Sequence, residues 1–220
     1  MSAPRAGKFV TLEGGEGAGK STQIARLAKR LRAHGAPVVT TREPGGSPRA
    51  EALRETILSG RARPLGPGGE ALLFAAARID HLEKLIRPAL ARGDVVLCDR
   101  FADSTRAYQG ALGALPADLI DWLERVALEG TRPDLTLILD APAEIGMQRA
   151  ALRRGSAQAD RFESESLDSH RKLRAAFLDI ARANPERCAI IDAARAPDVV
   201  ETAIWTAMRE RFGAGIGGAA

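Results

Sequence analysis

A chain of 220 residues with 45% hydrophobic content can bury a full core and sits at the upper end of the length expected for one domain. It has no run of 18 apolar residues, and the opening MSAPRAGKFV lacks an export signal's apolar segment, so a membrane span and a secretory route are disfavoured and a cytoplasmic location is expected. The net charge of +4 arises from 28 acidic residues interspersed among 32 basic ones, with 4% aromatics, which argues against a nucleic-acid track and points to small anions.

In chain order, KFVTLE predicts a strand at 8–13, and Ile24, Leu27 and Leu31 at helical spacing predict a helix over 20–34 that stops at Gly35. A short strand at 38–41 follows Pro37, then REPGGSP breaks the chain before a helix at 49–58. A Gly/Pro/Arg-rich turn precedes a long helical stretch at 70–91, with Pro88 marking a kink or the start of its last turn. DVVLCD and LTLILD predict buried strands at 94–99 and 135–140, with one or two helices between them, the better defined at 116–128. Helices at 143–154 and 162–182, a strand at 188–192 and a helix at 197–211 complete the pattern. The alternation predicts a doubly wound, mostly parallel, five-stranded α/β sheet with helices on both faces and ligands at the carboxyl ends of the strands. No composition shift marks a second domain, so 1–212 is read as one unit and the Gly-rich 213–220 as a disordered tail. Cys98 and Cys188 lie in apolar runs and are assigned to packing, and the three histidines, His81 among them, have no metal-ligand spacing and are read as structural or exposed.

The pattern G-x-x-x-x-G-K-[ST] spans Gly14, Gly15, Glu16, Gly17, Ala18, Gly19, Lys20 and Ser21, with Thr22 following. A Gly-rich turn from strand to helix aims backbone N–H groups and a helix dipole at one anion, so the loop reads as a polyphosphate cradle. Lys20 is placed to reach the β and γ phosphates and Ser21 to ligate Mg²⁺. A second metal ligand is expected at the end of a neighbouring strand, where Asp99 and Asp140 both qualify. Asp99 is favoured because Arg100 sets a cation beside it, where an acceptor phosphate can lie in line with the donor. Ser104, Thr105, Tyr108 and Gln109 gather hydrogen-bonding groups within little more than one turn, which suits either a small polar ring or a solvated helix start. Phe74 and Arg78 share a helix face and can stack and read a flat base, although Phe74 alone also reads as core.

Together EGGEGAGKST, TREPGG, LLFAAAR, DRFADSTRAYQG, PDLTLILD and DRFE resemble the thymidylate kinases of the bacterial type, over about residues 9–211. The resemblance implies a P-loop nucleoside monophosphate kinase fold, homodimerisation, and phosphoryl transfer from ATP with Mg²⁺ to dTMP. It implies that Phe74 stacks on thymine, Arg78 bonds a base carbonyl and Arg100 holds the dTMP phosphate, while Ser104, Thr105, Tyr108 and Gln109 line the nucleoside pocket. Glu43 and Pro44 belong to a loop near the acceptor phosphate, Glu16 lies near the acceptor sugar and the metal, and Arg149 flanks adenine with the turn after Asp192. Some relatives carry an arginine within the phosphate loop, where this chain has Gly17. The bacterial type supplies it from a lid, here about 150–161, where Arg153 or Arg154 is the expected catalytic cation and Arg161 closes the segment. The competing readings are another P-loop nucleoside or nucleotide kinase, an NTP switch, or a nucleic-acid-dependent ATPase.

Overall fold

The computed structural model describes residues 7–155, 162–213 and 216. Five strands, β1 (Lys8–Glu13), β2 (Val38–Arg42), β3 (Val95–Asp99), β4 (Leu135–Asp140) and β5 (Cys188–Asp192), form one sheet in the order β2-β3-β1-β4-β5. Every pairing is parallel, so the sheet is wholly parallel where a mostly parallel one was expected. Crossovers through helices impose this, because a parallel strand cannot be reached by a tight hairpin. Central β1 pairs with β3 on one side and β4 on the other, so the winding reverses there and a crevice opens beyond its carboxyl end.

Alternating strand side chains feed two layers. Val10, Leu12, Leu97, Leu137 and Leu139 pack with Ile24, Leu27 and Leu31 of α1 (Lys20–Ala33) and with Val200, Ile204 and Met208 of α9 (Pro197–Phe212). On the other face Phe9, Val96, Cys98 and Phe101 meet Leu82, Ile86 and Leu128, while Ile138 meets Leu173 and Phe177 of α8 (Leu167–Ala183). Ile216, within the segment read as a tail, is buried in the first layer, where an apolar side chain beyond α9 gains by covering core. The remainder of 214–220 lies outside the described residues.

The remaining helices differ in detail from expectation. The long stretch begins earlier, as α3 (Gly66–His81), and passes through a π turn at Leu82–Ile86 into α4 (Arg87–Ala91). Pro88 offers no N–H and crowds the carbonyl four residues back, and the wider turn upstream accommodates it. After α2 (Pro48–Leu58) and β3 come a single turn, α5 (Ala102–Thr105), a π turn at Arg106–Leu112 and α6 (Ala117–Leu128). The helix expected from 162 starts at Leu167, because Ser166 caps it by accepting from the Ser169 N–H, which leaves Phe162 and Glu163 in a turn. Helix α7 (Ala143–Arg154) matches its predicted bounds. Cys188, on edge strand β5, is only half-buried, unlike Cys98. No helix among the described residues is long and apolar enough to cross a membrane.

Candidate active site

The phosphate loop leaves β1 at Glu13 and enters α1 at Lys20, with Gly14, Gly17 and Gly19 all at positive φ. No side chain caps the first turn of α1, so its N–H groups face the loop. The Lys20 ammonium donates to the Gly14 and Gly15 carbonyls at 3.1 and 2.9 Å. Burial lowers its pKa, as does neighbouring Arg100, while Glu16, Asp99 and Glu13 oppose the shift. The Ser21 hydroxyl donates to Asp99 at 2.7 Å, so the two expected metal ligands meet. Asp140 is taken instead by Arg174, at 2.6 and 2.9 Å.

Gly17 is not open space waiting for a side chain. A Cβ there would lie 1.9 Å from the Gly146 carbonyl oxygen of α7, and a Cβ on Gly146 would lie 2.4 Å from the Glu16 carbonyl oxygen. Two backbones touch, so an arginine cannot stand in the loop unless α7 withdraws.

Across the loop, Arg100 adopts φ 67, a left-handed conformation costing a non-glycine residue about 1–2 kcal/mol. Its surroundings determine it heavily. Its N–H donates to Leu12 at 3.0 Å, and its guanidinium donates to the Gly14 carbonyl at 3.1 Å and to Glu16 at 2.5 Å. The following turn is held from beneath by Glu13, whose fully buried carboxylate accepts from the Phe101 N–H at 2.7 Å, the Ser104 N–H at 3.2 Å and the Ser104 hydroxyl at 2.6 Å. Burial, with Asp103 nearby, raises the Glu13 pKa to about 7 against the pull of Arg100 and these donors. Asp103 is itself anchored by a two-point pair with Arg187, at 2.7 and 2.8 Å. Burial penalises the Glu16 carboxylate too, but Arg100, Lys20 and a 2.9 Å hydrogen bond from Tyr108 bring it down to about 2. Glu16 therefore stands ionised between the loop and the acceptor side.

At the far end, Phe74 lines the cleft half-buried and Arg78 is almost wholly buried. Arg78 donates through Nε to Glu43 at 2.8 Å and through Nη2 to Thr105 at 3.1 Å, and its guanidinium lies 5.1 Å over the Phe101 ring. Glu43, which the resemblance expects near the acceptor phosphate, lines the cleft, and its carboxylate faces Arg78 and His81. Pro44 lines the cleft beside Arg54, which donates to its carbonyl at 2.7 Å. Gln109 and Tyr108 complete this wall.

On the other side Arg149 donates to the carbonyls of Ala193 and Ala194, at 2.7 and 3.1 Å, joining α7 to the turn after Asp192. Arg153 and Arg154 end α7, and both pair with Glu163, at 2.5 and 3.1 Å. The lid residues 156–161, Arg161 included, lie outside the described residues. One cleft of about 380 Å³ is lined by Lys20, Ser21, Asp99, Arg100, Phe74 and Arg153, among others. It also brings in Arg54, Phe162 and Glu163, which the sequence reading did not assign. Phe162 stacks edge-on against Tyr108 with ring centroids 5.2 Å apart and faces Phe74 at 6.4 Å. Its signal in the sequence is the DRFE motif, which ends in Phe162 and Glu163.

A phosphate loop at the switch point of a parallel sheet, facing a cationic pocket with an aromatic end, defines a P-loop phosphotransferase of the nucleoside monophosphate kinase class. Within that class the chain belongs to the thymidylate kinase family, whose model, Thymidylate kinase, matches residues 12–204. It is 56% identical over 209 residues to the thymidylate kinase of Bradyrhizobium sp. (strain BTAi1), covering 95% of this chain and 92% of that one. It is 59% identical over 207 residues to that of Rhodopseudomonas palustris (strain TIE-1), covering 94% and 90%. The crystal structure of thymidylate kinase from Ehrlichia chaffeensis superposes with a TM-score of 0.75 at 31% identity, covering 92% of this chain and 99% of that one.

Proposed function

We propose that the chain transfers the γ-phosphoryl group of ATP to dTMP, giving ADP and dTDP. The observation that carries this reading is the fixed placement of Arg100 beside Asp99 and the phosphate loop, with Phe74 and Arg78 at the far end of the same cleft. Lys20 and the loop N–H groups bind the donor phosphates, and Arg149 flanks adenine. Arg100 binds the acceptor phosphate, so its oxygen faces the donor. Phe74 stacks on the base, Arg78 hydrogen-bonds a carbonyl, and Tyr108, held by Glu16, borders the sugar. Arg153 or Arg154 neutralises the charge that spreads over the transferring oxygens.

Mg²⁺ suits the donor set, since the Ser21 hydroxyl and Asp99 carboxylate are hard oxygen ligands 2.7 Å apart. When bound, it supplies charge neutralisation on the donor phosphates, and Glu16 adds an ionised carboxylate nearby.

A homodimer through α3 and α6 is part of the proposal. These helices pack together through Ala71, Ala75, Leu123 and Ala127, leaving Leu72, Leu119, Trp122 and Val126 exposed. Trp122→Glu is expected to give a monomer by light scattering, and an unchanged mass would exclude this face. A cytoplasmic location is inferred from the substrates, which are cytoplasmic nucleotides.

The test is ADP release measured with dTMP, dUMP, AMP and thymidine as acceptors. Turnover is expected to be highest with dTMP. Hydrolysis of ATP stimulated by DNA and indifferent to dTMP would overturn the reading.

A further inference from the structure

His81, the last residue of α3, is fully buried, which makes it structural, one of the two readings its sequence allows. Its Nε2 lies 2.7 Å from the Thr41 hydroxyl at the end of β2, and its Nδ1 lies 3.2 Å from Glu43 Oε1. A carboxylate accepts only, so Nδ1 carries the proton and Nε2 can accept from Thr41. The Gly46 backbone closes on the ring so tightly that a Cβ there would lie 2.3 Å from Nε2. The imidazole is therefore fixed in rotation as well as in tautomer.

The second Glu43 oxygen accepts from Arg78 Nε. With Nη2 on Thr105 and the guanidinium over Phe101, Arg78 has a hydrogen-bonding partner at every nitrogen but Nη1 among the described residues, and Arg78 lines the cleft. Thr41, His81, Glu43, Arg78 and Thr105 thus form one chain of hydrogen bonds under the base end of the pocket.

We propose that His81 is a positioning residue for the acceptor base: it holds the Glu43 carboxylate against Arg78, so that Nη1 meets a base carbonyl at a fixed angle. The inference rests on the dTMP reading of the site. Without the histidine, Glu43 loses the bond that sets its rotamer, and the guanidinium fork can swing with it. The loss then falls on recognition of the base, and the donor side and the chemistry are untouched.

His81→Asn keeps an amide N–H near the position of Nδ1, whereas His81→Gln places its amide near Nε2 and leaves Glu43 without its donor. Steady-state kinetics with dTMP, dCMP and ATP separate the two. The Gln variant is expected to raise KM for dTMP about tenfold, and to lower the preference for dTMP over dCMP by a similar factor, with kcat and KM for ATP within about twofold. The Asn variant is expected to stay within about threefold of the parent. A Gln variant that matches the parent, or equal losses in Asn and Gln, would overturn the proposal. If the Gln variant does not fold, Thr41→Val leaves the ring in place with Nε2 unpaired; a rise of about threefold in KM for dTMP alone supports the proposal, and no change overturns it. A parent inactive toward dTMP overturns the function and this inference together, whereas an active parent with indifferent variants overturns the inference alone.

Discussion

The two cationic regions of the cleft are built on opposite plans. On the acceptor side, side-chain exposure is 3% at Arg78 and 15% at Arg100, and each guanidinium is held by at least two fixed oxygens. On the lid side Arg153 is 62% exposed and shares the single carboxylate of Glu163 with Arg154. A buried cation whose partners are already in place needs little reorganisation when a phosphate or base arrives, and the cost of its desolvation has been met on folding. An exposed cation on a shared partner can leave that partner and follow a substrate. On the proposed function, the pocket around Arg78 and Arg100 is preorganised for the acceptor, whereas Arg153 is the more exposed cation at the lid and can move to the transferring group.

The largest effect that would break this comparison is at Arg100. Arg100→Ala is expected to lower kcat/KM for dTMP by about a thousandfold, with ATP affinity by calorimetry within about twofold. Equal losses of ATP and dTMP binding would mean that Arg100 serves the loop and not the acceptor.

Next is the carboxylate under that arginine. The unfolded chain ionises Glu13 near pH 4.5, while the folded chain keeps it protonated up to about pH 7. Stability from this group is therefore full below about 4.5 and is lost as the pH rises to about 7, a difference of about 3 kcal/mol. Glu13→Gln removes that dependence. Between pH 4.5 and 7.5 the parent Tm is expected to fall relative to the variant by roughly 10 °C, read by differential scanning fluorimetry. Parallel Tm curves would show that Glu13 stays ionised across the range.

On the lid side, alanine at both Arg153 and Arg154 is expected to lower kcat about a hundredfold, with KM for dTMP little changed. Stopped-flow or steady-state turnover within about threefold of the parent would remove the lid arginines from the chemistry.

The strands and the phosphate loop were legible because apolar runs and a Gly-rich motif leave direct marks on sequence, and parallel pairing followed from the alternation with helices. What was not legible depends on distant partners. Glu13 reads as a polar strand end, and only the fold shows Phe101 and Ser104 donating to it from 88 and 91 residues away. His81 looks like any helical histidine until Thr41 and Glu43 close on it. Arg54 sits in a helix with only Ala50 and Ile57 buried, and its aim at Pro44 depends on how α2 packs. The late start of α8 is written in Ser166, a capping residue that stands four positions beyond the apolar Phe162 with which a helical periodicity can begin. The π turns leave no periodicity of their own to find.

The smallest expected effect is at Gly146, where local and global preferences disagree. The residue lies inside α7, where alanine ordinarily gains about 1 kcal/mol over glycine through helix propensity. Its Cβ would nevertheless stand 2.4 Å from the Glu16 carbonyl oxygen, a backbone atom that cannot turn aside as a side chain would. Either α7 withdraws or the phosphate loop shifts, and overpacking of this kind costs about 1–3 kcal/mol. Gly146→Ala is therefore expected to lower the Tm by a few degrees and to raise KM for ATP several-fold, with a smaller rise in KM for dTMP, because Arg100 leans on Gly14 and Glu16 of the loop while Arg78 is held by Glu43 and Thr105. A higher Tm with an unchanged KM for ATP would show that α7 yields easily, and that steric closure does not explain why the cation is absent from Gly17.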